Sequence, residues 1–207
     1  MPIDLQQAIA LLRTGHVVAY PTETFFGLGA DALDEAAVET LRAIKGRGRK
    51  PISVVIADTD MLTQVAHPLR GVGLALANAF WPGPLTLVVP VKPEVPLNLR
   101  AGGSTIGVRV SSHPVARALA AGLGRPLTST SCNRAGNREP TRPGQIDAEV
   151  RAAIAGYLEG ATPGGQPSTI VDLSGPRPLL LRQGAIGIDR LRRVAPDLDV
   201  ETATGAD

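Results

Sequence analysis

The chain has 207 residues, with 21 Lys and Arg against 19 Asp and Glu, a net charge of +2 and only 3% aromatic residues. That length suits one domain whose core is built from Ala, Val, Leu and Ile, while the near-balanced charge excludes a basic coat for nucleic acid and the scarcity of aromatics excludes broad base-stacking surfaces. The single cysteine, Cys132, allows no internal disulfide, and no Cys or His spacing resembles a zinc site, so no protein-bound metal is expected.

The amino terminus carries Asp4 within an amphipathic run, where a secretory signal needs a basic region and an unbroken apolar stretch. No apolar run approaches the roughly 18–20 residues that span a bilayer. A cytoplasmic protein without membrane association is expected. One domain over 1–207 is expected to have a core running from about residue 3 to 190 and a small, polar end fraying after Pro196.

Leu5, Ile9 and Leu12 recur at helical spacing, with Asp4 as N-cap and Gly15 as a stop, and an apolar strand from His16 to Tyr20 follows. After a loop rich in Thr and Gly, Asp34 caps a second helix carrying Val38, Leu41 and Ile44, which runs into a basic loop before a strand at Ile52 to Ala57. Further strands are expected at Leu85 to Val89, Thr105 to Val110, Leu127 to Thr130, Ser168 to Leu173 and Leu179 to Arg182. Helices are expected near Leu69 to Phe80, Pro114 to Ala121 and Asp147 to Ile154. Interleaved strands and helices define an α/β class with a mixed, twisted sheet, and the Pro- and Gly-rich joins, such as Trp81-Pro82-Gly83-Pro84, read as turns within one domain.

Arg42, Lys45, Arg47, Arg49 and Lys50 place five cations within nine residues with no acid among them, and the intervening glycines let backbone N–H groups approach an anion. Such a cluster repels itself unless something negative binds it. A solvated turn at a helix C-terminus is the plainer reading and suits Arg49 best; for Lys45, Arg47 and Lys50 a polyphosphate site is the sharper one. Neither a P-loop nor a dinucleotide fingerprint is present, so ATP would bind by another architecture.

Pro21-Thr22-Glu23-Thr24 follows a strand directly, where ligands of α/β sheets commonly sit, and offers two hydroxyls and a carboxylate, though an ordinary turn with local Thr bonds explains it equally. Thr128-Ser129-Thr130-Ser131-Cys132-Asn133 leaves another strand with small hydrogen-bonding side chains able to lie against a ligand. Ser131 lacks a G-x-S-x-G frame, and His16, His67 and His113 have no triad arrangement, which argues against a hydrolase and leaves the histidines surface or capping roles. Cys132 is expected to be packed and unreactive.

Taken together, Pro21-Thr22-Glu23-Thr24 with Gly27-Leu28-Gly29, Lys45-x-Arg47, Trp81-Pro82-Gly83-Pro84, Thr105-Ile106-Gly107-Val108-Arg109, Ser131-x-Asn133 and Ser168-Thr169-Ile170-Val171-Asp172 resemble the threonylcarbamoyl-AMP synthase (YrdC/TsaC) family in order and spacing. The resemblance implies an open, twisted mixed sheet with flanking helices around a large basic cavity. It also implies an enzyme that joins L-threonine, bicarbonate and ATP into threonylcarbamoyl-AMP and pyrophosphate, for N6-threonylcarbamoyladenosine modification of tRNA. By the same resemblance, Lys45 and Arg47 are catalytic; Arg47, Lys50, Thr105, Ser131, Asn133, Glu139 and Arg182 bind ATP; and Thr22, Thr24, Arg109, Ser129 and Ser168 bind threonine. Magnesium travels with the triphosphate without a protein cage. Downstream partners are the proteins that transfer threonylcarbamoyl to tRNA, with direct tRNA contact as a further expectation.

Two departures stand out: many relatives have Asn where Lys50 stands, and longer members carry a second carboxyl-terminal domain. Two competing readings remain open on the sequence. One is a double-stranded RNA or tRNA-binding module without catalysis, and the other is a relative that forms a carbamoyl adenylate from carbamoyl phosphate.

Overall fold

A computed structural model describes residues 1–46, 50–134 and 136–200. In chain order the elements are β1 (Pro2–Ile3), α1 (Leu5–Arg13), β2 (Val18–Tyr20), β3 (Gly27–Gly29), α2 (Glu35–Lys45), β4 (Val54–Ile56), α3 (Gly71–Phe80), β5 (Leu85–Pro90), β6 (Thr105–Val110), α4 (Pro114–Leu123), β7 (Leu127–Thr128), β8 (Thr130–Ser131), α5 (Ala148–Ala153), β9 (Gly156–Leu158), β10 (Thr169–Asp172), β11 (Leu179–Arg182), α6 (Ile188–Arg192) and β12 (Asp199–Val200). Short 3₁₀ turns lie at Met61–Gln64 and Pro143–Gln145.

The helices begin where the capping chemistry puts them. The Asp4 side chain accepts from the Gln7 amide while Gln7 returns a bond to the Asp4 amide, and Asp34 accepts from Ala36 and Ala37. Each arrangement satisfies amides that the first helical turn leaves without partners. Gly46, in the left-handed region at φ +58°, ends α2 immediately after Lys45. His113 caps α4 through Nδ1, which accepts from the Val115 amide, in keeping with the capping role expected for it.

The strands form two mixed sheets, ordered β1-β9-β2-β3-β8 and β12-β11-β10-β5-β6-β4-β7. The mixed α/β architecture expected is thus divided between two sheets, with one stretch of chain serving both. Leu127 and Thr128 pair with β4, whereas Thr130 and Ser131 pair antiparallel with β3, so the segment changes sheets at Ser129. Ser129 itself donates its amide to the Ser53 carbonyl at 2.7 Å, and Thr128 Oγ1 bonds both the Leu28 carbonyl and the Ala30 amide.

Two apolar clusters cover the sheets. Alternation along β4 shows how they divide, with Val54 and Ile56 in the larger core and Val55 in the smaller one under α1 and α4. α1 lies against α4 closely enough that a Cβ at Gly122 would come within 2.3 Å of Ile9. The Gly27-Leu28-Gly29 strand admits Tyr20, its cross-strand partner, because side chains at either glycine would sit 3.0–3.1 Å from the ring. The tyrosine hydroxyl then reaches the Thr128 carbonyl at 2.9 Å, and burial pushes its pKa up to about 12. Beyond Pro196, where fraying was expected, Leu198 is buried and β12 pairs in parallel with β11. No helix among the described residues is long and apolar enough to cross a membrane.

Candidate active site

A cavity of about 840 Å³ has as its floor one face of the adjacent strands β10, β5 and β6. Because strand side chains alternate, Ile106, Val108 and Val110 enter the core while Thr105, Gly107 and Arg109 line the cavity. Thr86 and Val88 from β5, and Ile170 and Asp172 from β10, complete that face. Gly107 leaves no room for a side chain, since a Cβ there would lie 2.6 Å from Ser53 Oγ.

One wall carries Lys45. Delivered by the last turn of α2, it is only 4% exposed and donates to the Ser131 carbonyl, to Ser131 Oγ at 3.1 Å and to Asn133 Oδ1 at 2.6 Å. Ser131 Oγ also donates to Asn133 Oδ1 at 2.7 Å. The loop beyond is held from outside by Asp147, whose Oδ2 accepts from the Arg134 amide at 3.0 Å and from Asn137 Nδ2 at 3.1 Å. Those two bonds hold the Asp147 carboxyl below its usual range. Cys132 turns the other way into the core, fully buried, and its thiol is pushed up to about 12 by burial. That orientation fits the packed, inert role expected.

Where β6 bounds the floor, a second wall centres on Arg109, whose side chain is 7% exposed. Its Nη1 lies 3.1 Å from Glu23 Oε1, and its Nη2 donates to Ser129 Oγ at 3.2 Å. Thr22 and Thr24 line the same wall. The Thr22 hydroxyl donates to the Phe25 carbonyl and contacts Thr24 Oγ1 at 3.1 Å, so this tetrapeptide is a locally bonded turn and a cavity wall at once.

Arg182, from the end of β11, also lines the cavity and donates to the Ser168 carbonyl at 2.9 Å and to Ser168 Oγ at 3.3 Å, and Ser168 Oγ accepts from Thr86. Gly184 permits this approach, because a Cβ there would fall 2.1 Å from the Pro167 carbonyl. Arg182 is solvent-exposed as a residue, yet enough of its guanidinium is withdrawn from water to lower its pKa.

The cavity thus gathers Lys45, Lys50, Thr105, Ser131, Asn133, Glu139 and Arg182 with Thr22, Thr24, Arg109, Ser129 and Ser168. Arg47 and Arg49 lie outside the described residues. Arg42, grouped with these cations by sequence proximity, points elsewhere: its Nε donates to the Asn98 carbonyl at 2.6 Å and its Nη2 to the Lys50 carbonyl at 3.0 Å. These bonds tie α2 to the backbone at Asn98 and at Lys50, the far end of the loop. Sequence reasoning missed Ser53 and Thr86 on the floor and the pairing of Glu23 with Arg109. Isolated small polar residues at alternating positions of apolar strands were the available signal for the first two.

The Sua5/YciO/YrdC family model, described as telomere recombination, matches residues 10–184. The chain belongs to this family. A member from Bacillus subtilis, threonylcarbamoyl-AMP synthase, is 36% identical over 201 residues, covering 96% of this chain and 58% of that protein. The threonylcarbamoyl-AMP synthase of Chromohalobacter salexigens is 41% identical over 174 residues, covering 82% and 92%. Among solved structures, that of Pyrococcus abyssi Sua5 complexed with L-threonine has a TM-score of 0.91 at 35% identity, over 95% of this chain and 58% of that one. The chain therefore spans 58% of the length of the B. subtilis and P. abyssi members of the family.

Proposed function

We propose that this chain is a threonylcarbamoyl-AMP synthase acting in the cytoplasm, which condenses L-threonine, bicarbonate and ATP with release of pyrophosphate. The observation that carries the reading is one cavity with a lysine wall and an arginine wall joined by the segment from Ser129 to Asn133. A nucleotide and an amino acid can be held there side by side. The similarity to a Sua5 bound to L-threonine supports the same reading.

A carbamate formed from threonine and bicarbonate is an anion that must approach the anionic α-phosphate. Cations fixed in a cavity offset that repulsion and stabilise the charge of phosphoryl transfer. Lys45, already oriented by Ser131 and Asn133, neutralises the reacting phosphates together with Arg47; Lys50, Thr105, Glu139 and Arg182 position the nucleotide. Arg109 takes the threonine carboxylate, with Thr22, Thr24, Ser129 and Ser168 around the rest of the amino acid. Catalysis is then orientation and electrostatics, with no side chain required as general base.

Magnesium arrives with the triphosphate, held by phosphate and water oxygens. Among the described residues no three acidic, imidazole or thiol groups are placed to cage it. The adenylate passes to proteins that transfer the threonylcarbamoyl group to tRNA.

Incubation with ATP, labelled bicarbonate and threonine tests the reading: labelled threonylcarbamoyl-AMP and pyrophosphate are expected, and their absence would overturn it. Turnover supported by carbamoyl phosphate but indifferent to threonine would replace it with carbamoyl-adenylate formation.

A further inference from the structure

The cavity raises a problem of sorting. Lys45, Lys50, Arg109 and Arg182 all line it, and a triphosphate is attracted to every one of them. If it settled on Arg109, it would occupy the place of the amino acid. Something must make the two walls unequal.

Arg109 is in direct contact with a carboxylate. Glu23, 11% exposed at its side chain, sets Oε1 3.1 Å from Arg109 Nη1, while its Oε2 accepts from Ser111 Oγ. Ser111 is itself fixed, for its Oγ accepts from the His113 amide at 3.2 Å and its carbonyl accepts from Arg117 Nη1 at 2.7 Å. The carboxylate is therefore held from behind by the start of α4. Glu23 Oε1 has no aligned hydrogen-bond donor, so its tie to Arg109 is charge to charge. Lys45 donates to oxygens of Ser131 and Asn133, dipoles that orient its ammonium.

We propose that Glu23 is a specificity-determining residue that neutralises Arg109, so that the arginine wall accepts a net-neutral zwitterion and refuses polyphosphate. The proposal rests on the reading that Arg109 receives the amino acid. A zwitterion brings its carboxylate to Arg109 without adding net charge beside Glu23. A triphosphate brings several negative charges towards the Glu23 carboxylate and is repelled to the lysine wall. One buried acid thereby sorts two substrates that share a cavity.

The test uses tripolyphosphate as the probe and threonine binding by calorimetry as the readout, in wild type and in Glu23→Gln, which keeps the shape and an acceptor for Ser111. Saturating tripolyphosphate is expected to leave threonine affinity in the wild type within about twofold, and to weaken it by about tenfold or more in Glu23→Gln, a difference of at least ~1 kcal/mol in the competition. Equal competition in both proteins would overturn the proposal. So would displacement of threonine by tripolyphosphate in the wild type, an arm that stands even if the variant fails to fold. Glu23→Asp, retaining the charge, is expected to behave as wild type. These are binding measurements, so a chain that binds both probes in the sorted pattern yet forms no adenylate would overturn the proposed activity alone.

Discussion

The two walls of the cavity hold cations out of bulk water by different means. Lys45 donates to oxygens of Ser131 and Asn133, whereas Arg109 is held between a carboxylate and a hydroxyl. The first arrangement suits a group that must meet phosphate charge and the second one that must recognise a carboxylate by shape. A buried cation is thus defined less by its own charge than by whether its partners are dipoles or ions.

The contrast can be broken most sharply at Lys45. Lys45→Ala is expected to lower kcat/KM by about 10²–10³, the usual loss when a preorganised electrostatic interaction with a developing charge is removed. Circular dichroism should show the fold retained, and unchanged kinetics would remove Lys45 from the reaction. Arg109→Ala comes next, raising the KM for threonine by about 10–100-fold, as expected for removing a charged hydrogen bond of ~1.5–3 kcal/mol. The KM for ATP should stay within about twofold, since Arg109 serves the other substrate. A comparable rise for ATP would erase the distinction between the walls.

Arg182→Ala sharpens the comparison from a third side chain of the cavity. Because Arg182 bonds Ser168 while contributing charge to the nucleotide side, both KM values should rise by about three- to tenfold. Confinement of the effect to one substrate would assign Arg182 wholly to that wall.

The smallest effect concerns stability. The buried Cys132 and Tyr20 groups both have folded-state values of about 12, above their ordinary values of 9.0 and 10.0. The unfolded chain therefore loses these protons first, and stability should fall as pH rises from 9 towards 12. Denaturant midpoints across that range check it, and Cys132→Ala should flatten the early part of the decline.

Much of this arrangement was legible from residue patterns. Thr105 to Val110 was bounded correctly because its apolar and polar residues alternate without interruption, and Asp4 and Asp34 marked helix starts because a side-chain acceptor is required there. Gly27–Gly29 was passed over as loop, since two glycines carry no alternation; their role as a bed for the Tyr20 ring depends on a partner strand. The segment from Leu127 to Thr130 read as one strand because nothing local distinguishes a strand that stays in its sheet from one that changes sheets. Nearness in sequence alone does not separate Arg42, which donates to backbone carbonyls, from Lys45, three residues on, which lines the cavity.

Cys132 has a practical consequence. Its thiol is sealed in the core, but the residues on either side of it, Ser131 and Asn133, hold Lys45. A thiol reagent can reach it only when that stretch of chain lifts away from its neighbours, so the labelling rate is a clock for the opening of the lysine wall, built into the native sequence with no probe to attach.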